Sequence, residues 1–286
     1  MKIAVFTDSF HPFISGATFV VLNQVNELMR RGHEVCIFRP KPVRGKAEGR
    51  PENIDTDAQI YDVPFSIPMM RMPDLHITVP TFLSSCRRAR EFHPDIMHAH
   101  TEWGCGWEGL VVARRNRIPA IGTFHTFWGD PAYLKHFHLP TFKLFQNAMW
   151  QYSKFYFNRC DKVVSPSDVV RKKLVAYGLR HDPAVISNGI HIPRMISEEQ
   201  VRNKRRELGI DGAAFIYVGR VSQEKSLEVV LEAFQTVHGK YPESKFVLVG
   251  GGPSEKQVKD YIESHGLGDA VVCLGRIPHQ RLINEN

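Results

Sequence analysis

The chain has 286 residues, with 37 Lys and Arg against 30 Asp and Glu, 14 histidines and a formal net charge of +7. Its 43% hydrophobic content is that of a globular protein and excludes a disordered tail. At about 150 residues per domain, two domains are expected. No uncharged run approaches the ~18 residues of a membrane span, and the apolar start Ile3-Ala4-Val5-Phe6 is stopped by Asp8, too early for a signal-peptide core. The chain reads as cytosolic. Five cysteines, odd in number and without CxxC spacing, argue against a disulfide framework and a zinc site and read as reduced core residues. The basic balance calls for an anionic partner: a phosphorylated substrate, an anionic membrane surface or nucleic acid.

Short apolar runs alternate with amphipathic stretches, the pattern of βαβ units and of a parallel sheet with helices on both faces. Residues 2–8 read as a buried strand, Ser9 to Gly16 as a loop, and 17–31 as a helix with Val21, Val25, Leu28 and Met29 on one face. Gly32 stops that helix just past Arg30 and Arg31, and residues 33–40 form the second strand. Lys41 to Asp57, rich in Pro, Gly and charge, reads as an exposed loop. Further strands are expected at 60–63, 95–100, 119–126, 162–167 and 184–189. The helices between them include one opened by Pro80 and a long one within 140–159.

After Pro193 the composition shifts to the charged stretch Ser197 to Leu208, placing a domain boundary near 190. A second βαβ series follows: a strand at 213–219, a helix from Ser226 to about Tyr241, a strand at 245–250, the glycine turn Gly250-Gly251-Gly252-Pro253, a helix to about His265 and a strand at 270–275. The last residues, from Ile277, read as the opening of another helix.

Several positions can carry chemistry. The loop Ser9 to Gly16 joins a first strand to a first helix, where open α/β sheets hold phosphates. It has one glycine, Gly16, so the dinucleotide fingerprint is missing and an oxidoreductase loses its main support. A tight turn that needs glycine for its backbone is the competing reading. His98 and His100, two apart on a strand, share a face, and Glu102 follows at the strand's carboxyl end. Spacing supplies no third metal ligand, so these read as satisfied buried or crevice histidines. His125 also ends a strand, where a neutral imidazole can donate or accept a hydrogen bond or act as a general base.

From Tyr133 to Arg159, basic residues interleave with aromatic ones, which suits a membrane interface. A core-facing aromatic stripe with a solvated basic back explains the same pattern. Arg220 and Lys225 flank the loop after strand 213–219 and can clamp a diphosphate, or stand as a solvated surface pair.

Together the segments TDSFHPFISGATFVVLNQVNELMRRGHEV, DIMHAHTEWG, IPAIGTFHT, DKVVSPSD, VISNGI, YVGRVSQEK and LVGGGP resemble the family-4 retaining glycosyltransferases of GT-B architecture, two Rossmann-like domains. HAHTEWG followed by GTFHTFWGDP is most similar to the enzymes that glucosylate diacylglycerol. The resemblance implies an acceptor-binding domain at 1–190 and the first half of a nucleotide-sugar-binding domain at 191–286. It implies transfer of a hexose, glucose from UDP-glucose, to a membrane lipid such as diacylglycerol, by a protein peripheral to the inner face of a membrane. Lipid mannosyltransferases and sucrose-related enzymes share the pattern.

By resemblance Gly16 would offer backbone N–H groups to the nucleotide phosphates, and Arg220 and Lys225 would neutralise the leaving diphosphate without a bound metal. His125 would contact the donor sugar. Gly251 and Gly252 would let the chain pass close to the nucleotide, with its base near Arg276 and Ile277. His98, His100 and Glu102 would lie on the acceptor side. The family's Glu-x7-Glu pair has no counterpart in context: Glu199 and Glu207, Glu224 and Glu232, and Glu255 and Glu263 have the spacing but fall in charged helical segments. The chain is therefore expected to be a shortened form of little activity. The alternative is a non-catalytic module binding membrane or sugar nucleotide. Neither nucleic acid nor an obligate protein partner is expected, since no motif for either accompanies the charge.

Overall fold

The computed structural model describes residues 1–11, 13, 15–42, 56–69, 72–136, 139–190 and 196–277. Residues 43–55 of the expected loop, and all but the first residue of the expected final helix, lie outside that set. The chain forms two compact units, residues 1–191 and 192–286.

In the first unit, strand β1 (Lys2–Phe6) leads to helix α1 (Gly16–Arg30), then β2 (Glu34–Pro40) and β3 (Gln59–Val63). A ribbon of β4 (Ser66–Met69) and β5 (Met72–Thr78) precedes α2 (Leu83–Phe92), β6 (Ile96–Ala99), α3 (Gly104–Asn116) and β7 (Ala120–Thr123). Helices α4 (Pro131–His136) and α5 (Lys143–Phe157), strand β8 (Lys162–Ser165), α6 (Asp168–Ala176) and β9 (Ala184–Val185) complete it. The main sheet is parallel throughout, in the order β3-β2-β1-β6-β7-β8-β9.

Alternation along the strands explains the layers. Ala4 and Phe6 of β1, with Cys36 and Phe38 of β2, pack into one core; Ile3, Val5, Val35 and Ile37 pack into another on the opposite face. Both faces are apolar because helices cover both. Helix α1 contributes Val21, Leu22 and Val25 to the second core and ends at Gly32, whose φ of +83° suits glycine.

The second unit holds α7 (Glu198–Glu207), β10 (Ala214–Val218), a 3₁₀ turn at Gln223–Lys225, α8 (Leu227–Lys240), β11 (Lys245–Val249), α9 (Glu255–Ser264) and β12 (Val271–Gly275). Its sheet is parallel, in the order β10-β11-β12, with Phe246 and Leu248 on one face and Val247 and Val249 on the other. The doubly wound α/β fold class expected from the sequence is the one observed.

Four local expectations are corrected. The β4–β5 ribbon was not anticipated, because Pro64, Pro68 and Pro73 read against strands; an antiparallel pair with two free edges tolerates the missing N–H groups. Helix α2 begins at Leu83 rather than Pro80. Thr81 and Phe82 turn their N–H groups to the buried Glu108 carboxylate instead, at 2.7 and 2.9 Å, with Phe82 at φ +63°. The strand expected at 184–189 is paired only over Ala184–Val185, at the sheet's edge. Of the five cysteines, Cys36, Cys86, Cys105 and Cys160 are buried free thiols, but Cys273 is exposed on β12, at the edge of the three-stranded sheet.

Candidate functional site

In open parallel sheets the binding crevice forms at the carboxyl ends of the strands, where the strand order reverses. In the first unit that place lies between β1 and β6. Asp8, just past β1, is fully buried and anchors it. Its carboxylate accepts from the Thr78 N–H at 2.9 Å, the Thr101 hydroxyl at 2.8 Å and the Cys105 N–H at 3.0 Å. One side chain thereby ties the β4–β5 ribbon, the loop after β6 and the first turn of α3 to the end of β1. Burial raises the Asp8 pKa, and the hydrogen bonds from Thr78, Thr101 and Cys105 oppose that shift.

Three histidines meet beside it. His98 lies on β6 and His100 just past its end, with ring centroids 4.3 Å apart. The β6–β7 register pairs His98 with Ile121 and Ala99 with Gly122, which carries His125, beyond β7, to the His100 ring. His100 Nδ1 lies 2.9 Å from His125 Nε2, and His98 Nε2 lies 2.7 Å from the Thr123 hydroxyl. Burial lowers the pKa of His98 and of His125 to about 4 and that of His100 well below its ordinary value, so all three are neutral near pH 7.

Glu102 is buried too. Its carboxylate accepts from the Ser153 hydroxyl at 2.9 Å, and its backbone carbonyl from the Tyr152 hydroxyl at 2.7 Å, both on α5. Burial pushes its pKa up to about 7. Trp103 stacks on Tyr152 and meets Trp128 edge to face, so an aromatic cluster joins these loops to α5.

Gly16 is the first residue of α1, behind the N-cap Ser15, whose hydroxyl accepts from the Thr18 N–H while the Thr18 hydroxyl accepts from the Ser15 N–H. No positive φ is needed at Gly16, and a Cβ there would meet nothing within 4 Å among the described residues. The tight-turn reading therefore fails: the backbone does not require this glycine. No acidic residue occupies the first turn of α1, leaving its N-terminus suited to an anion.

In the second unit the carboxyl ends are laced together. Gly219 N–H donates to Val249 O at 3.0 Å, Val221 N–H to Gly251 O at 3.1 Å, and Gly250 N–H to Gly275 O at 2.7 Å. Arg220 sits half-buried in this lacing, and Lys225 is exposed in the 3₁₀ turn. A Cβ on Gly251 would meet the Glu255 carboxylate and the Arg276 side chain, and one on Gly252 the Val221 carbonyl. Packing against backbone thus demands glycine at Gly252, whereas the atoms facing Gly251 belong to side chains. The Gly252 N–H is already taken by the Glu255 carboxylate at 2.6 Å. Arg276 is exposed beside Gly251, and Ile277 packs on the core of β11.

The structure thus gathers His98, His100, Glu102 and His125 in one unit and Arg220, Lys225, Gly251, Gly252, Arg276 and Ile277 at one sheet end of the other. His98, His100 and Glu102 are buried, so their side chains serve the packing of these loops before any exposed surface. Sequence reasoning missed Asp8, which reads only as the charge ending an apolar run, and Ser153, whose link to Glu102 crosses 51 residues. Among the described residues no group of three His, Cys, Asp or Glu is placed to hold a metal ion.

Residues 14–194 match Glycosyltransferase Family 4, and residues 200–285 match the Glycosyl transferases group 1. The chain belongs to glycosyltransferase family 4. Within that family, the α-monoglucosyldiacylglycerol synthase of Streptococcus pneumoniae is 29% identical over 284 residues, covering 97% of this chain and 62% of that protein. The synthase of the same name from Acholeplasma laidlawii is 29% identical, covering 96% and 69%. A GDP-mannose-dependent α-mannosyltransferase of Mycobacterium tuberculosis is 26% identical, covering 80% and 58%. Among solved structures, Anabaena HepE in complex with UDP superposes with a TM-score of 0.72 at 19% identity, over 97% of this chain and 70% of that one. This family member thus spans 62% of the length of its pneumococcal relative.

Proposed function

We propose that the chain is the acceptor-binding and nucleotide-binding part of a retaining hexosyltransferase that moves glucose from UDP-glucose to a membrane lipid such as diacylglycerol. One observation carries the reading: 97% of the chain corresponds to an α-monoglucosyldiacylglycerol synthase, its motif residues standing at the carboxyl ends of two parallel sheets. The chemistry agrees. Breaking a glycosyl bond to a diphosphate develops negative charge on the leaving oxygens, and stabilising it is the main electrostatic task.

Arg220 and Lys225 supply that charge in the second unit, in the role a metal ion plays elsewhere, and Arg276 and Ile277 meet the base. In the first unit the open N-terminus of α1 at Gly16 takes phosphate oxygens. His125 contacts the donor sugar, and His98, His100 and Glu102 hold the acceptor face in shape.

A membrane acceptor is supported by α5. Its outer turn exposes Leu144, beside exposed Phe142 and Lys143, while Tyr156 and Phe157 at its inner end are buried. Apolar and cationic groups side by side suit an anionic bilayer surface. Among the described residues no helix is long and apolar enough to cross a membrane.

The test is calorimetric titration of the 286-residue chain with UDP-glucose and GDP-mannose, followed by transfer to vesicles of diacylglycerol and anionic lipid. UDP-glucose is expected to bind more tightly, Arg220→Ala to weaken it at least tenfold, and glucosyl-diacylglycerol to form only slowly, as the missing Glu-x7-Glu pair requires. Preference for GDP-mannose would replace the donor; binding of neither would overturn the reading.

A further inference from the structure

His100 has two ring nitrogens and one partner. Its Nδ1 shares a hydrogen bond with His125 Nε2 at 2.9 Å, while its Nε2 is buried with no hydrogen-bond partner among the described residues. Both rings are neutral, each with one proton, and the shared bond needs one proton between the facing nitrogens. Two arrangements satisfy it. If His125 donated from Nε2, the His100 proton would sit on Nε2, a buried N–H without an acceptor. If His100 donates from Nδ1, its Nε2 is a bare lone pair. Orphaned buried N–H groups are the rarer and costlier defect in folded proteins.

We infer that His100 is a positioning residue that fixes the tautomer of His125: its Nδ1–H donates to His125 Nε2, so that His125 carries its own proton on Nδ1.

The consequence reaches the chemistry. The lone pair that would make His125 a base is occupied by the His100 proton. What remains is an N–H on a half-buried ring at the end of β7, held by a bond that the β6–β7 register sets. Of the roles open to a neutral imidazole, the geometry selects the hydrogen-bond donor, aimed at an oxygen acceptor such as a sugar hydroxyl. It deselects proton abstraction. That ligand class rests on the proposed glycosyl transfer; the tautomer itself does not.

The experiment keeps the two apart. Long-range ¹H–¹⁵N correlation spectra of ¹⁵N-histidine protein report which ring nitrogen is protonated. His125, assigned by loss of its signals in His125→Gln, is expected as the Nδ1–H form. In His100→Phe, which keeps a ring but no donor, it should change to the Nε2–H form favoured by an unconstrained imidazole. In His100→Asn, whose amide nitrogen falls near the position of Nδ1, the Nδ1–H form should persist. His125 found as Nε2–H in the unmodified protein, or unchanged in folded His100→Phe, overturns the inference. If neither variant folds by circular dichroism, the unmodified spectrum alone decides. With UDP-glucose and diacylglycerol vesicles, His100→Phe should lower kcat at least tenfold with KM for the nucleotide sugar unchanged. An absence of transfer in every protein, with the tautomer as expected, would count against glycosyl transfer and leave the positioning role standing.

Discussion

The carboxyl ends of the two sheets are furnished in opposite ways. In the first unit the polar groups past β1, β6 and β7 are sunk into the protein, uncharged where they are histidines, and each is fixed by a named partner. In the second unit Arg220, Lys225 and Arg276 stand on an exposed or half-exposed rim, and order comes from the backbone lacing beneath them. Under the function proposed above, the difference is one of task. Neutral donors and acceptors discriminate by direction, which demands rigidity, whereas a diphosphate is held by charge, which tolerates motion.

Substitutions should separate the two modes. The largest effect is expected at Gly250→Ala, because φ there is +138° and a Cβ would enter the Gly219 carbonyl; the second unit should lose its cooperative unfolding transition in circular dichroism. Next is Asp8→Ala, which strands the N–H groups of Thr78 and Cys105 and uncaps α3. The first unit should lose about 3 kcal/mol in denaturant unfolding. An unchanged midpoint would show that Asp8 does not hold the loops together.

Acid should then distinguish the units. His98 and His125 fall from 6.5 to about 4 on folding, so between those pH values the unfolded chain takes up protons that the folded protein refuses. Stability present above about pH 6.5 drains away towards pH 4, on the order of 3 kcal/mol for each histidine at about 1.4 kcal/mol per pH unit. Glu102 runs the other way. Raised from 4.5 to about 7, it favours the folded state when protonated, so its contribution is present below pH 4.5 and is lost as pH rises towards 7. Melting at pH 4.5, 6 and 7.5 should therefore show a net fall with acid, and Glu102→Gln should steepen it. The smallest stability effect is expected at Gly16→Ala, within about 1 kcal/mol, since helical φ and open space await the methyl. If glycine serves a ligand there, UDP affinity falls while the melting temperature stays.

Most of the fold was legible because both units are regular βαβ series, and the alternation in KIAVF and EVCIF reports two buried faces directly. The β4–β5 ribbon was not, since its stability comes from burying Leu75, His76 and Thr78 against the main body and not from local propensity. At the site, shared facing of His98 and His100 followed from strand period. Their meeting with His125 did not, because it depends on the register between β6 and β7, which no local pattern encodes. Asp8 and Ser153 were invisible for the same reason: their partners are distant in sequence.

Helix α5 has an asymmetry with a mechanical sense. Tyr152 and Ser153 grip Glu102, two residues from His100, while Leu144 projects nine residues earlier, about 14 Å along the axis at 1.5 Å per residue. The helix is a stiff rod clamped at its inner part and free at its outer turn. One rigid element thus joins the exposed side chain of Leu144 to the hydrogen bonds that hold Glu102.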